Sequence, residues 1–174
     1  MPSIKLEMNP TLPQIKGWID SVQHGVLGNL KDFWEGWARK LVVEEIARIF
    51  ATQGYGTWAS LSERYAYYKS KKYPGRTILR AKDIYFRAST RKGASGNIYE
   101  IDKDSMTWGA DGSYFANALG YDYPTALEVG TKKMPARPVY DLAKHSEALQ
   151  RNLVNGLSDF LHKRIEAEAR KVFR

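Results

Sequence analysis

Residues 123–140 read YPTALEVGTKKMPARPVY, and how this stretch folds decides what lies on either side of it. Three prolines, a Gly-Thr pair and the cations Lys132, Lys133 and Arg137 fall directly upstream of a long helical pattern. Gly130-Thr131 permits a tight turn, because glycine reaches positive φ without steric penalty. Pro138 biases Arg137 away from helical geometry through the clash of its ring with the preceding residue. The stretch therefore reads as an extended, turn-containing connector. Residues 132–137 would stand out from it, with the Arg137 guanidinium free to pair with a carboxylate or a carbonyl.

Downstream, Leu142, Leu149, Leu153, Leu157, Phe160, Leu161, Ile165 and Val172 draw one apolar stripe, with charge on the other faces, so a single long helix is expected from Asp141 to Val172. Gly156 lies within it, where glycine costs about 1 kcal/mol relative to alanine; close approach of a neighbouring element would account for it. Upstream, residues 98–102 and 106–109 alternate around Asp102-Lys103-Asp104-Ser105, the pattern of a β-hairpin with Tyr99 and Ile101 on one face and Met106 and Trp108 on another. Residues 110–122, ADGSYFANALGYD, read as a loop with a turn at Asp111-Gly112.

Nearer the start, residues 76–90 suit a helix carrying Ile78, Leu79, Tyr85 and Phe86, although the aromatic and β-branched residues would also suit a strand. Thr57 is placed to cap a helix with Trp58, Leu61, Tyr65 and Tyr68 on one face, ended by Pro74-Gly75. A six-turn amphipathic helix is expected between the cap Asn29 and a left-handed Gly54. Residues 14–27 give a short helix, and residues 1–13 an extended arm or edge strand around Ile4 to Met8. The expected class is α+β: several amphipathic helices, including a long C-terminal one, packed with a small antiparallel sheet. Residues 1–28 form an arm and short helix, and residues 29–174 one domain.

The absence of cysteine excludes disulfides, a thiolate nucleophile and thiolate metal sites. No window offers eighteen uncharged apolar residues and the N-terminus lacks a signal-peptide core, so a soluble protein assembled in the cytoplasm, without a membrane partner, is expected. A net charge of +8 suggests attraction to polyanions, nucleic acid first. The basic residues nevertheless spread over 69–92, 132–137 and 162–174, so no single recognition helix holds them.

Catalytic signals fail in turn. His24, His145 and His162 stand alone, without metal or triad spacing, and neither phosphate-binding glycine motif occurs. Glu44-Glu45 and Glu166 with Glu168 read as solvated helix faces, and Ser60 and Ser62 near Lys69 as helix-start serines. No catalytic residue, metal ligand or cofactor is expected, and the chain reads as a non-enzyme. In YAYYKSKKYPGR, residues 65–76, Tyr65 and Tyr68 keep helical spacing with Trp58 and Leu61 and read as core. Lys69, Lys71, Lys72 and Arg76 would form a basic rim able to face DNA phosphates without reading sequence.

From Trp58 on, WASLSERYAYYKSKKYPGRTIL resembles a segment of phage virion-morphogenesis and tail-completion proteins, the Mu G-like neck family, with Trp58, Leu61, Tyr65, Lys69, Ile78 and Leu79 as fixed points. The likeness resumes at Met106-Thr107-Trp108-Gly109 and is strongest in Tyr123-Pro124, residues 127–131 and residues 134–138. It departs at Lys82-Asp83 and in the length of the 110–122 loop. The resemblance implies a non-enzymatic structural protein of a tailed phage virion, one that completes the tail at the neck. Such a subunit forms a ring, a hexamer being expected, and meets connector, tail-terminator or tail-tube proteins beside a DNA channel. The implied contact segment holds Glu128, Gly130, Thr131, Lys132, Lys133, Met134, Pro135 and Arg137, and loss of Arg137 should then impair assembly more than folding. The alternative is a basic, non-specific nucleic-acid-binding protein.

Overall fold

The structure, a computed structural model, describes residues 12–26 and 28–172; the expected arm around Ile4 to Met8 lies outside the described residues. In chain order come α1 (Leu12–Ser21), a π-helical stretch (Val22–Val26), α2 (Lys31–Phe33), a second π-helical stretch (Trp34–Ala38) and α3 (Arg39–Ala51). Then follow α4 (Glu63–Lys72), α5 (Ile84–Thr90), β1 (Asn97–Ile101), β2 (Met106–Ala110), α6 (Gly112–Leu119), α7 (Tyr123–Val129), α8 (Tyr140–Lys144) and α9 (Glu147–Val172). The class is α+β: helices dominate, one antiparallel hairpin packs among them, and a long helix closes the chain.

Residues 31–51 run as one rod. Asn29 Oδ1 accepts from the Lys31 N–H at 3.0 Å, supplying one of the acceptors a helix start lacks. At the other end Gly54 takes φ +67° and its N–H returns to the Ile49 carbonyl at 2.8 Å. Ile46, Ile49 and Phe50 leave this rod for the core, joined there by Trp58, Tyr85, Phe115, Leu127 and Val139. Phe50 meets Trp58, Tyr85 and Phe86 edge-on at 5.9, 5.5 and 5.2 Å. Tyr85 passes the contact to Phe115, Tyr123 and Tyr140 at 5.9, 5.7 and 6.5 Å. Edge-to-face pairs of this kind are worth about 0.5–1.5 kcal/mol each beyond buried area, so α3, α5, α6, α7 and α8 are held by one chain of rings.

In the hairpin Tyr99 pairs with Trp108 and Ile101 with Met106. Directly opposed residues point the same way, so all four share one face, which corrects the expectation of two. The Trp108 Nε1–H donates to the Ser89 carbonyl at 2.7 Å and Asn97 Nδ2 to the Ala88 carbonyl at 2.8 Å, hanging the hairpin on the end of α5.

Helix α9 runs antiparallel to α1, α2 and the second π-helical stretch. Ser21 bonds Glu168 at 2.9 Å, Asp32 pairs with Arg164 at 2.6 Å and Phe33 meets Phe160 at 5.6 Å. The last partner explains Gly156: a Cβ built there would stand 2.9 Å from Trp37 Cε2 and inside the contact distance of Nε1 and Cδ1. An indole lies directly on the α9 backbone.

Four local expectations are corrected. The helix expected from Thr57 begins at Glu63, because Gln53, Gly54, Tyr55 and Gly56 all take positive φ and the resulting turn drops Trp58 into the core before the helix starts. Tyr65 and Tyr68 thereby lose their apolar neighbours and lie 46% and 47% exposed. Residues 76–90 are helical only over Ile84–Thr90, since Leu79 and Asp83 are left-handed at φ +63° and +57°. Residues 110–122 hold helix α6: Asp111 caps the Ser113 N–H at 2.8 Å and Phe115 is fully buried, so the Asp-Gly turn signal was a helix start. The C-terminal helix is interrupted at His145-Ser146, where Ser146 Oγ accepts from the Leu149 N–H at 3.2 Å and starts α9 afresh.

Candidate functional site

The stretch 123–140 divides into a helix and a turn. Asp122 Oδ1 accepts from the Thr125 N–H at 3.1 Å, and Pro124 sits in the first turn of α7, where a missing N–H costs nothing. The connector reading is therefore corrected for its first half, since that proline opens a helix. Gly130, at φ +76°, then reverses the chain; a Cβ there would stand 2.8 Å from the Ala136 nitrogen. Thr131 and Met134 exchange backbone hydrogen bonds at 2.7 and 3.2 Å, closing a tight turn that exposes Thr131, Lys132, Lys133 and Pro135.

Two of the expected contact residues face inward. Glu128 accepts from the N–H groups of Val139, Tyr140 and Asp141 at 2.8, 3.1 and 3.2 Å and from the Tyr85 hydroxyl at 3.4 Å. It caps the first turn of α8, and a carboxylate already holding four donors is a strut of the fold. Arg137 is 5% exposed; Nε and Nη2 donate to the Ala59 carbonyl at 3.1 and 3.0 Å and Nη2 to that of Ser60 at 3.2 Å. The expectation of a free guanidinium is corrected: the turn before α4 and the turn after α7 are stitched together through it.

Between α4, the 79–84 turn, the ends of α6 and α7 and residues 133–137 opens a cleft of about 770 Å³. It joins the two separately recognised segments, for Lys69 and Lys72 line it from one side and Lys133, Met134, Pro135 and Arg137 from the other. Lys71, Arg76, Lys132, Glu128, Gly130 and Thr131 lie outside this lining. Arg76 is instead paired with Asp83 at 2.8 Å.

Lys69 is corrected most sharply. The helical period turns it into the protein, where it is 5% exposed and its ammonium donates to the Thr77 carbonyl. Burial lowers its pKa and the nearby Arg137 charge lowers it further, while Asp83 opposes both. Lys72 remains in solvent with its ammonium 5.3 Å from the Tyr68 ring centre and 5.8 Å from that of Tyr73; hydrogen bonding to Tyr68 raises its pKa. Tyr65 and Tyr68 stack on each other at 6.1 Å. Burial pushes the Tyr123 hydroxyl far above its ordinary range, so this wall residue stays a neutral phenol.

Outside the cleft, Glu45 overturns the solvated-face reading of Glu44-Glu45. Glu44 is exposed, but Glu45 is 5% exposed and accepts from the Tyr55 hydroxyl and Arg48. Burial would raise its pKa; hydrogen bonds from Ser146, Tyr55 and Arg48 outweigh this and hold it below the usual value. Glu166 stays at the surface with His162 at 3.0 Å and Arg170 at 3.7 Å. Among the described residues no group of three or more His, Asp or Glu could hold a metal ion, and no helix is long and apolar enough to cross a membrane. Set against protein-family models, curated proteins and solved structures, the chain finds no match.

Proposed function

We propose that the chain is a structural virion protein of a tailed phage that completes the tail at the neck, forming a ring of about six copies beside the DNA path and docking connector, tail-terminator or tail-tube proteins. The observation that carries the reading is an open aromatic and basic surface at the junction of the family-like blocks. Tyr65, Tyr68 and Tyr121 line the cleft and are 46, 47 and 49% exposed, and Tyr67, on the same helix as the first two but outside the lining, is 69% exposed. Tyrosine is favoured at interface centres because it buries much apolar area and keeps a polar tip. A head-to-tail ring needs two different patches on each subunit, and the cleft supplies one concave half.

Analytical ultracentrifugation and negative-stain imaging test it: a discrete ring is expected, lost on Tyr67→Glu with Tyr68→Glu. A strict monomer, both alone and with connector or tail-tube proteins, would refute it. The second reading, a non-specific nucleic-acid binder, is favoured by Lys71 and Lys72 lying over the exposed rings of Tyr67 and Tyr68. It predicts duplex DNA binding by the monomer, falling steeply with salt.

A further inference from the structure

We propose that the cleft receives an acidic, apolar-flanked segment of a partner protein, one of whose carboxylates reaches the Lys69–Arg137 pair on its floor. The inference rests on the reading of this cleft as an assembly contact and adds the chemistry of what enters it.

Charge is the first argument. Five cationic side chains line the cleft (Lys69, Lys72, Lys82, Lys133 and Arg137) against one carboxylate, Asp83. Asp83 is already shared between Arg76 and Arg80 at 2.8 and 2.5 Å. Both floor cations are 5% exposed, yet their hydrogen bonds go to neutral carbonyls: Lys69 to Thr77, Arg137 to Ala59 and Ser60. A buried charge is normally paired with an opposite one, and among the described residues neither of these forms a salt bridge. Spare donors also remain, because among the described residues Arg137 Nη1 has no hydrogen-bond partner and Lys69 uses one of its three N–H groups. A planar carboxylate is the acceptor that suits an arginine edge beside an ammonium.

The walls decide between a peptide and a nucleic acid. Beside the tyrosines stand Leu61, Leu79, Leu119 and Met134, aliphatic surface that fits peptide side chains. A volume of about 770 Å³ suits a few residues. Lys69 and Arg137, each 5% exposed, lie at the bottom, open to a glutamate on its methylene arm and withdrawn from the rigid outer phosphates of a duplex, while Lys72 and Lys133 stand at the rim.

The test uses the full chain on immobilised nonapeptides of Leu, Tyr and Ser carrying zero to three glutamates. The best binder and its Gln counterpart are then compared in solution by fluorescence anisotropy, with oligothymidylate as competitor. Retention should rise with glutamate number, and the Glu peptide should bind at least tenfold tighter than its Gln twin. Lys69→Met should erase that preference while the circular-dichroism melt is retained; if that variant fails to fold, Lys72→Gln with Lys133→Gln on the rim should weaken the Glu peptide several-fold. Retention independent of glutamate, or oligothymidylate outcompeting the peptide, overturns the proposal. Ring assembly is scored on the same samples. Rings without glutamate preference refute this inference and leave the neck reading standing; glutamate preference in a strict monomer does the reverse.

Discussion

Replacing Gly156 by alanine should change sign with the residue at position 37. In an isolated helix the change stabilises by about 1 kcal/mol, because alanine has less backbone freedom to lose. Here the new Cβ would stand 2.9 Å from Trp37 Cε2 and closer still to two other ring atoms, so the indole must leave its seat. Trp37 is 51% exposed, so it forfeits about half of the 3–5 kcal/mol that truncating a buried tryptophan costs, roughly 2 kcal/mol. Gly156→Ala should therefore destabilise the native chain by about 1 kcal/mol and stabilise a Trp37→Ala chain by about 1 kcal/mol. Urea unfolding followed by far-ultraviolet circular dichroism reads both arms of this cycle, with unchanged m-values as the control. Distant, independent sites add within about 0.5 kcal/mol. Equal effects in the two backgrounds to that tolerance would refute the indole-on-backbone contact.

Gly54→Ala should cost about 1–2 kcal/mol for its left-handed conformation, and more because the added Cβ strikes the Trp58 ring; an unchanged thermal midpoint would contradict the turn. Arg137→Ala should destabilise by about 3 kcal/mol, since hydrogen bonds from a charged donor are worth about 1.5–3 kcal/mol each and the three contacts of this group serve only two carbonyls, Ala59 and Ser60, counted at the lower value. Folding, measured by denaturant titration, is thus hurt first, reversing the expectation from sequence, while Lys132→Ala with Lys133→Ala should leave stability within about 0.5 kcal/mol and alter only assembly. Glu45 has a folded pKa depressed below the ordinary 4.5, so its stabilisation is complete above that value and is lost as pH falls through the lower folded one. Melting between neutral pH and about 3 should show a flatter acid limb in Glu45→Gln; identical limbs would remove Glu45 as a contributor.

The elements legible in sequence were those whose periodicity and caps agree. The rod from Asn29 to Gly54, the hairpin and the Gly156 contact each follow from spacing plus one punctuating residue. What was missed has a common cause: turn residues also start helices. Asp111-Gly112 and Pro124 read as loop signals because nothing local tells a capping aspartate or a first-turn proline from a breaker. The candidate site was legible as two segments and illegible as one cleft. Lys69 and Arg137 look like surface cations in sequence, and only the tertiary fold, which brings the Thr77 carbonyl to one and the Ala59 and Ser60 carbonyls to the other, shows that both point inward. Tyr65 and Tyr68 failed in the opposite sense, once Trp58 left their helix.

The inward anchoring of Glu128 and Arg137 has one more effect. These residues clamp the two feet of the 130–136 turn, one by capping α8 and the other by gripping Ala59 and Ser60. Within the tip Thr131 Oγ1 accepts from the Lys133 and Met134 N–H groups and Met134 packs against the core, so both belong to the scaffold, whereas the exposed side chains of Lys132, Lys133 and Pro135 can change without touching it. If the proposed assembly role holds, recognition on this face can evolve separately from folding: a subunit would be retargeted to a new neighbour by exchanging residues 132, 133 and 135 alone, as a tool head is changed on a fixed handle.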